Sequence, residues 1–239
     1  MCGIVGYVGS RKARPILING IKRLEYRGYD SAGIALLTSE GLVVSKSVGK
    51  ISMLEAALGD REFDSTHGIA HTRWATHGEP SEANAHPHTD NDHQIALVHN
   101  GIIENYRTVR EFLVRKGVTI KTQTDTEVLV HLIAMNYKGD LTAAVRDALT
   151  QVDGTYGIAV VSARHPNTVV AARMGSPLVV GLGDSENFVA SDVSAMLEHT
   201  NRVVYLEDGE IATVTPNDYR ITTIQNVAIT PTIEEISWT

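Results

Sequence analysis

Apolar and polar positions follow two periods along the first two thirds of the chain. Apolar runs bounded by glycine and polar residues predict buried strands. These runs occupy residues 3–9, 31–37, 42–48, 68–74 and 95–99. Apolar residues recurring three and four positions apart predict helices. The helical stretches begin at Pro15 and stop near Gly28, then follow at 51–58, at 105–116, from 124 onward and at 141–152.

The last third of the chain is rich in short strands. Turn residues separate apolar runs at 156–162, 168–173, 177–181, 188–190, 202–206 and 210–214, and residues 219–239 are polar but strand-like. No repeat or internal linker interrupts this order, so residues 1–239 are expected to form one domain. Strand clusters at both ends with helices between them predict an α+β domain of two sheets covered by helices.

One long segment, residues 75–92, carries no period. It contains two prolines and several histidine, asparagine and aspartate residues. Loops of this length inside a compact domain are commonly functional or disordered. The arginine and tryptophan that precede it and its histidines argue against disorder, so we interpret it as a structured functional loop.

Composition excludes several classes of function. The net charge is −7 and no Lys/Arg block occurs, which argues against nucleic acid or an anionic membrane as the main partner. A single cysteine excludes an internal disulfide and favours a reducing compartment. Without an apolar stretch of membrane-spanning length, the sequence predicts a soluble, cytoplasmic protein.

The single cysteine lies at position two, directly before the first predicted strand. Removal of Met1 would place a thiol and a free α-amine on the same residue, Cys2. An α-amine has an ordinary pKa of about 7.7–8.0 and can accept a proton near neutral pH. We therefore predict that Cys2 is an N-terminal nucleophile with its own amine as base. The alternative is a small buried apolar side chain.

A nucleophile that attacks an acyl carbon needs hydrogen-bond donors for the oxyanion. Asn100 and Gly101 follow a predicted strand and could supply a side-chain amide and a backbone N–H. An Asn-Gly pair is also a common turn, and both interpretations stay open on these residues.

Two charged residues could bind the ends of an amino acid. Arg73 leaves a predicted strand beside Trp74, and a guanidinium binds a carboxylate through two hydrogen bonds. Asp125 lies in the first turn of a predicted helix and could bind an ammonium group. The alternatives are a surface arginine beside a half-buried tryptophan, and an acid that interacts with the helix dipole.

Several histidines near these residues raise the question of a metal site. They are His71, His77, His86, His88, His93 and His99. They lack cysteine or glutamate partners at the usual ligand spacing. We therefore expect no metal and no cofactor, and we interpret His77 and His86 as loop hydrogen-bonding residues.

Longer motifs are similar to a known family. They are residues 2–6 (CGIVG), 23–33 (RLEYRGYDSAG), 71–80 (HTRWATHGEP), 84–88 (NAHPH), 99–105 (HNGIIEN), 124–127 (TDTE) and 175–178 (GSPL). Together they resemble the glutaminase domain of the isomerizing glutamine–fructose-6-phosphate aminotransferases. The first motif fits any amidotransferase with an N-terminal nucleophile, whereas the second and third are specific to the aminosugar enzymes.

The resemblance implies a four-layer α-β-β-α sandwich, the N-terminal-nucleophile hydrolase fold. It implies that Cys2 attacks the side-chain amide of L-glutamine, that ammonia leaves, and that water releases glutamate from the thioester. The residues matching Asn100 and Gly101 form the oxyanion hole in the family. Arg27 and His86 match residues with supporting roles.

Substrate binding is implied in the same way. The arginine matching Arg73 holds the glutamine α-carboxylate, with help from the positions of Thr76 and His77. The tryptophan matching Trp74 gates the site. The aspartate matching Asp125, with the backbone of Gly101, holds the α-amine.

The resemblance also sets expectations about the rest of the enzyme. Relatives continue into sugar-isomerase domains that bind fructose 6-phosphate, so this chain is interpreted as an excised domain or a fragment. Alone it should hydrolyse glutamine without making glucosamine 6-phosphate. The full-length enzyme is expected to be a homo-oligomer, whereas the isolated domain can be a monomer.

Three alternatives remain open. The chain could be the glutaminase of another amidotransferase, such as an amidophosphoribosyltransferase. It could be a glutamine-binding module without turnover, or a self-processing N-terminal-nucleophile peptidase.

Overall fold

The computed structural model describes residues 2–237, which form fifteen strands and five α-helices. The strands are β1 (Gly3–Val8), β2 (Ser31–Thr38), β3 (Gly41–Val48), β4 (His67–Arg73), β5 (His88–Thr89), β6 (Ile95–Ile103), β7 (Gly154–Ser162), β8 (His165–Met174), β9 (Val179–Leu182), β10 (Asn187–Ala190), β11 (Arg202–Tyr205), β12 (Glu210–Val214), β13 (Tyr219–Thr223), β14 (Ala228–Ile229) and β15 (Glu234–Glu235). The helices are α1 (Ala13–Arg23), α2 (Ile51–Leu58), α3 (Tyr106–Arg115), α4 (Thr126–Asn136) and α5 (Leu141–Leu149). Short 3₁₀ helices occupy Glu25–Arg27 and Val193–Ala195.

The strands form two sheets. Sheet A has eight strands in the order β15-β11-β9-β10-β1-β4-β2-β3, and sheet B has seven in the order β14-β13-β12-β8-β7-β6-β5. Strand β1 pairs antiparallel with β10 on one side and β4 on the other. The strand that follows Cys2 is therefore in the interior of sheet A, where both neighbours hold its backbone.

Alternation along β1 shows how the layers form. Val5 and Tyr7 pack in one apolar core with residues of α1 and α2, while Ile4 and Val8 pack in another core with residues of sheet B. Side chains in a strand point alternately to the two faces. Sheet A therefore has helices on one face and sheet B on the other.

Strand β6 follows the same rule in sheet B. Leu97 packs in a third core with α3, α4 and α5, whereas Ala96 and Val98 join the core between the sheets. The result is the predicted four-layer α-β-β-α sandwich. By the same alternation, Asn100 of β6 and Cys2, which directly precedes β1, extend toward the layer between the sheets, at its edge.

The helices are short covering elements. The longest, α1 and α4, have 11 residues each. Across residues 2–237, no helix has both the length and the apolar character required to cross a bilayer.

The strand predicted at 95–99 is longer than expected, and the turn interpretation of Asn100 and Gly101 is wrong. The Asn-Gly pair is not a turn, because β6 continues through it to Ile103 and residues 100–103 pair with residues 154–157 of β7. Gly101 adopts a φ of 127° within this paired strand. Pairing with β7 thus overrides the local turn preference. The long loop also contains a two-residue strand, β5, beside β6.

Candidate active site

The sulfur of Cys2 lies against the backbone of Trp74. Sγ accepts a hydrogen bond from the Trp74 N–H at 3.1 Å and lies 3.7 Å from the Trp74 carbonyl oxygen. Burial raises the pKa of the Cys2 thiol, although the Trp74 hydrogen bond and nearby Arg73 act in the opposite direction. Because the thiolate is the nucleophilic form, this cysteine needs a base at neutral pH. Met1, and with it the state of the α-amine, lies outside the described residues.

A cavity of about 410 Å³ opens beside this sulfur. Nine of the ten residues predicted for the site line it: Cys2, Arg27, Arg73, Trp74, Thr76, His86, Asn100, Gly101 and Asp125. The tenth, His77, contributes its carbonyl oxygen as an acceptor for Arg73, while its ring packs edge-on against Tyr106. The residues are thus brought together from strands and loops far apart in the chain, and their individual roles stay predictions.

The side chain of Asn100 spans from one histidine to the nucleophile. Its Nδ2 donates to the carbonyl oxygen of Cys2 at 3.1 Å, and its Oδ1 lies 2.9 Å from His71 Nε2. An amide nitrogen carries two N–H donors. One is used by Cys2, and the second is available to the cavity.

Gly101 allows the backbone to approach β7 closely. A Cβ at this position would overlap the carbonyl oxygen of Thr155, and the φ of 127° is one that L side chains rarely adopt. Glycine is therefore required here both for space and for conformation.

Arg73 is a buried cation at the end of β4. Its guanidinium donates to the carbonyl oxygens of His77, Gly78 and Glu79. Burial lowers the pKa of Arg73, while Asp30, Cys2 and Asp125 raise it. An arginine remains charged throughout the working range of pH, so this wall of the cavity is positive.

Asp125 lies just before α4 and is buried. Its Oδ2 accepts the backbone N–H of Ile103 at 2.7 Å. This bond ties the carboxylate to the end of β6 and holds it at the cavity. The acid therefore does more than interact with its own helix dipole.

The histidines form a buried polar group. His71 stacks on His86 with ring centroids 4.2 Å apart, and His86 Nδ1 accepts the backbone N–H of His99. Burial lowers the pKa of His71, His86, His88 and His99, so these rings are neutral at pH 7. In the part of the chain from Cys2 to Ser237, no three His, Cys, Asp or Glu side chains are arranged to hold a metal ion.

Sequence reasoning assigned no role to three further residues. His71 orients the Asn100 amide, Ser191 Oγ accepts the Ile4 N–H at 2.9 Å, and Asp30 Oδ2 accepts the Ala75 N–H at 2.6 Å. The alternation of side chains along a strand could have indicated His71, because His71 lies on the same face of β4 as Ile69, which belongs to the inter-sheet core. The other two depend on tertiary contacts.

Comparison with known proteins identifies a family for the chain. The family profile described as glutamine amidotransferase domain matches residues 60–231. The glutamine–fructose-6-phosphate aminotransferase (isomerizing) of Chlorobaculum tepidum is 53% identical over 245 residues, covering 100% of this chain and 40% of that protein. The one from Thermus thermophilus is 52% identical, covering 100% and 39%. The chain thus spans about two fifths of the length of these relatives.

Solved structures share the fold. The glutamine phosphoribosylpyrophosphate amidotransferase of B. subtilis, complexed with ADP and GMP, superposes with a TM-score of 0.81 at 25% identity, covering 93% of this chain and 49% of that one. A second structure, titled an allosteric regulatory enzyme of purine biosynthesis, gives 0.81 at 26% identity, covering 95% and 50%. The predicted N-terminal-nucleophile fold is confirmed, and with the family match it shows that this chain belongs to the glutamine amidotransferase domain family.

Proposed function

We propose that this chain is the glutaminase domain of a glutamine–fructose-6-phosphate aminotransferase, with residues 1–239 acting as one unit. It hydrolyses the side-chain amide of L-glutamine to glutamate and ammonia. One observation carries the proposal: Cys2, Arg73, Asn100 and Asp125 border a single cavity of about 410 Å³. That set combines a nucleophile, an oxyanion donor and two opposite charges.

Substrate recognition follows from the two charges. The guanidinium of Arg73 binds the α-carboxylate, and the carboxylate of Asp125 binds the α-ammonium group. Thr76 and His77 assist at the carboxylate, and Trp74, which is 55% exposed, closes over the ligand. This arrangement presents the side-chain amide of glutamine to the sulfur of Cys2.

The reaction proceeds through a thioester. The Cys2 thiol gives its proton to the α-amine exposed by loss of Met1, and the sulfur attacks the amide carbon. The second N–H of Asn100 and the N–H of Gly101 stabilise the oxyanion. The amine returns the proton to the departing nitrogen, which leaves as ammonia. Water then attacks the thioester, which releases glutamate and regenerates the thiol.

The use of the ammonia belongs to the longer protein. The relatives named above are more than twice as long as this chain. We propose that their additional segments bind fructose 6-phosphate and convert it with ammonia to glucosamine 6-phosphate. The isolated chain therefore releases ammonia without forming the amino sugar. A reducing compartment such as the cytoplasm suits an enzyme that depends on a free thiol.

Glutamate release by residues 2–239, the chain with Met1 removed, tests the proposal. Wild type is expected to turn over repeatedly, and Cys2→Ala is expected to produce no glutamate above background. Cys2→Ala that hydrolyses glutamine at the wild-type rate would refute the mechanism. Wild type that binds glutamine without releasing glutamate would identify a binding module instead.

Identity separates the two enzyme candidates. The aminosugar enzymes are 52–53% identical to the chain, whereas the phosphoribosylpyrophosphate amidotransferase is 25% identical. In the full-length protein, ammonia-dependent amination of fructose 6-phosphate supports the first candidate, and amination of phosphoribosylpyrophosphate supports the second. Self-cleavage of a segment before Cys2 would instead indicate a peptidase.

A further inference from the structure

The buried amide of Asn84 joins two loops at the cavity. Asn84 is 2% exposed. Its Nδ2 donates to the Glu79 carbonyl oxygen and to Gln123 Oε1, each at 3.0 Å. Its Oδ1 accepts the backbone N–H of Gln123, also at 3.0 Å. One hydrogen bond of this side chain thus stays within residues 77–84, and the other two link that loop to residues 121–125.

The first of these loops supports the cation of the site. The Glu79 carbonyl oxygen accepts from Arg73 Nη1 at 3.4 Å as well as from Asn84. Gly78, whose carbonyl also accepts from Arg73, packs so closely that a Cβ there would lie 2.7 Å from Asn84 Nδ2. Asn84 thus holds the backbone against which the Arg73 guanidinium rests.

The second loop leads into the anion of the site. Gln123, held by Asn84 through its backbone and its side chain, is two residues before Asp125. Asp125 is fixed on its other side by the Ile103 N–H at 2.7 Å. The Asn84 amide therefore lies in a short path of hydrogen bonds that begins at Arg73 and ends next to Asp125.

We propose that Asn84 is a positioning residue that sets the separation of Arg73 and Asp125 and so determines affinity for a free α-amino acid. An α-amino acid carries its carboxylate and its ammonium on one carbon, so the two binding groups must be held at one spacing. Loss of the Asn84 hydrogen bonds weakens binding of both the carboxylate and the ammonium group of the amino acid. It leaves the sulfur of Cys2 and its oxyanion donors in place. The inference rests on the proposed function.

The chain contains a matched control in Asn91. Its Nδ2 donates to the Thr119 carbonyl oxygen at 3.0 Å, and its Oδ1 accepts the Thr119 N–H at 3.0 Å. Asn91 lies in the same 75–92 loop as Asn84, and Thr119 lies in the same stretch between α3 and α4 as Gln123. The Asn91 amide therefore joins these two segments at a second place, and neither Asn91 nor Thr119 lines the cavity. Variants of Asn91 therefore loosen the same pair of segments away from the site.

The test compares Asn84→Asp and Asn84→Ala with Asn91→Asp and Asn91→Ala in residues 2–239, the chain without Met1. Aspartate keeps an acceptor for Gln123 but removes both donors. Both Asn84 variants are expected to raise KM for glutamine about tenfold to a hundredfold, with kcat within about threefold of wild type. The Asn91 variants are expected to keep the wild-type KM.

Gln123→Ala provides a milder variant that keeps the fold. Gln123 is exposed, and its truncation removes one of the three hydrogen bonds of Asn84. A smaller rise in KM, of about threefold to tenfold, is expected because one neutral hydrogen bond contributes less than all three hydrogen bonds of Asn84 together. Circular dichroism of each variant identifies any that fail to fold.

Alkylation of Cys2 gives a readout that is independent of turnover. A diazoketone analogue of L-glutamine needs both charges of the site, whereas iodoacetamide needs only the thiol. Asn84→Ala is expected to slow labelling by the first reagent at least about tenfold and to leave labelling by the second unchanged.

The outcomes separate the two proposals. If wild type neither hydrolyses glutamine nor reacts preferentially with the glutamine analogue, the proposed function fails. If wild type does both and the Asn84 variants show its KM and labelling rates, only the Asn84 inference is overturned. An equal rise in KM in the Asn84 and Asn91 variants also overturns it, because the effect would then be a general loosening of the two segments.

Discussion

His71 fixes the orientation of the Asn100 side chain. His71 Nε2 lies 2.9 Å from Asn100 Oδ1 and 3.2 Å from the His99 carbonyl oxygen. Both partners are acceptors, so Nε2 carries the proton. The Asn100 oxygen is thereby held by His71, and its nitrogen is directed to Cys2 and the cavity. Burial lowers the pKa of His71 to about 3, so the donor persists across the working range of pH.

Replacing His71 should therefore reduce the rate of the chemical step. In His71→Leu the Asn100 amide loses its fixed orientation, and kcat for glutamine hydrolysis is expected to fall about tenfold to a hundredfold. This is less than the roughly hundredfold to thousandfold cost of removing an oxyanion donor, because the donor is misoriented and not removed. KM should change by less than about threefold, because Arg73 and Asp125 are untouched. Steady-state glutamate release measures both constants.

The conservative variant provides the control for His71. The side-chain nitrogen of glutamine can donate at the position of His71 Nε2, so His71→Gln should recover part of the lost kcat. Equal kcat values for wild type and His71→Leu, in folded protein, would contradict the orienting role.

Chains that keep Met1 should be inactive. With Met1 attached, the α-amine of Cys2 is an amide nitrogen and cannot accept a proton, while burial keeps the pKa of the thiol raised. Intact-mass spectrometry beside a glutamate assay should show activity in proportion to the fraction of chains that begin at Cys2. Full activity from chains that all retain Met1 would refute the amine as base.

Gly101→Ala should cost more stability than Gly41→Ala. Both glycines have positive φ, 127° and 114°, which costs a non-glycine residue about 1–2 kcal/mol. A Cβ at Gly41 meets nothing within 4 Å, whereas at Gly101 it overlaps the Thr155 carbonyl oxygen. In urea unfolding, the loss of stability in Gly41→Ala should fall within that range, and the loss in Gly101→Ala should be well above it. Similar losses in both variants would mean that β6 and β7 separate at little cost.

Acid should destabilise the fold through its buried histidines. His71 has a folded pKa of about 3 against an ordinary value of 6.5, so between these values the unfolded chain binds a proton that the folded chain does not. The free energy of unfolding therefore falls as pH drops through this window, by up to about 1.4 kcal/mol per pH unit for such a histidine.

Glu127 causes a second decrease in the free energy of unfolding, at lower pH. Burial alone would raise its pKa, but hydrogen bonds from His131 and from the Lys121 and Thr122 backbone lower it to about 2, against an ordinary 4.5. The stabilisation that the ionised Glu127 side chain gives the folded state is complete above pH 4.5 and is lost as the pH falls toward 2.

Denaturant titrations at several values of pH between about 7.5 and 4.5 measure the histidine effect. His71→Gln removes one titrating group and should flatten the slope. An unchanged slope in this variant would show that the ring titrates alike in the folded and unfolded chain.

Local sequence patterns predicted most elements, because strand and helix periods depend on neighbouring residues. The helix predicted at 51–58 matches α2 at both ends, and the first predicted strand matches β1 to within one residue. The predicted end of the 95–99 strand was wrong, because pairing with β7 carries the strand through the turn signal at Asn100 and Gly101.

The sequence by itself singled out Cys2 as the candidate nucleophile, since it is the one thiol of the chain and precedes a predicted buried strand. It also determined which charged and amide side chains could serve a glutamine site. Tertiary structure decided how they meet: Asn100 contacts Cys2 across 98 positions, His71 contacts Asn100 across 29, and Asn84 contacts Gln123 across 39. Such contacts depend on the stacking of two sheets around a shared core, and no local preference of a residue encodes that distance.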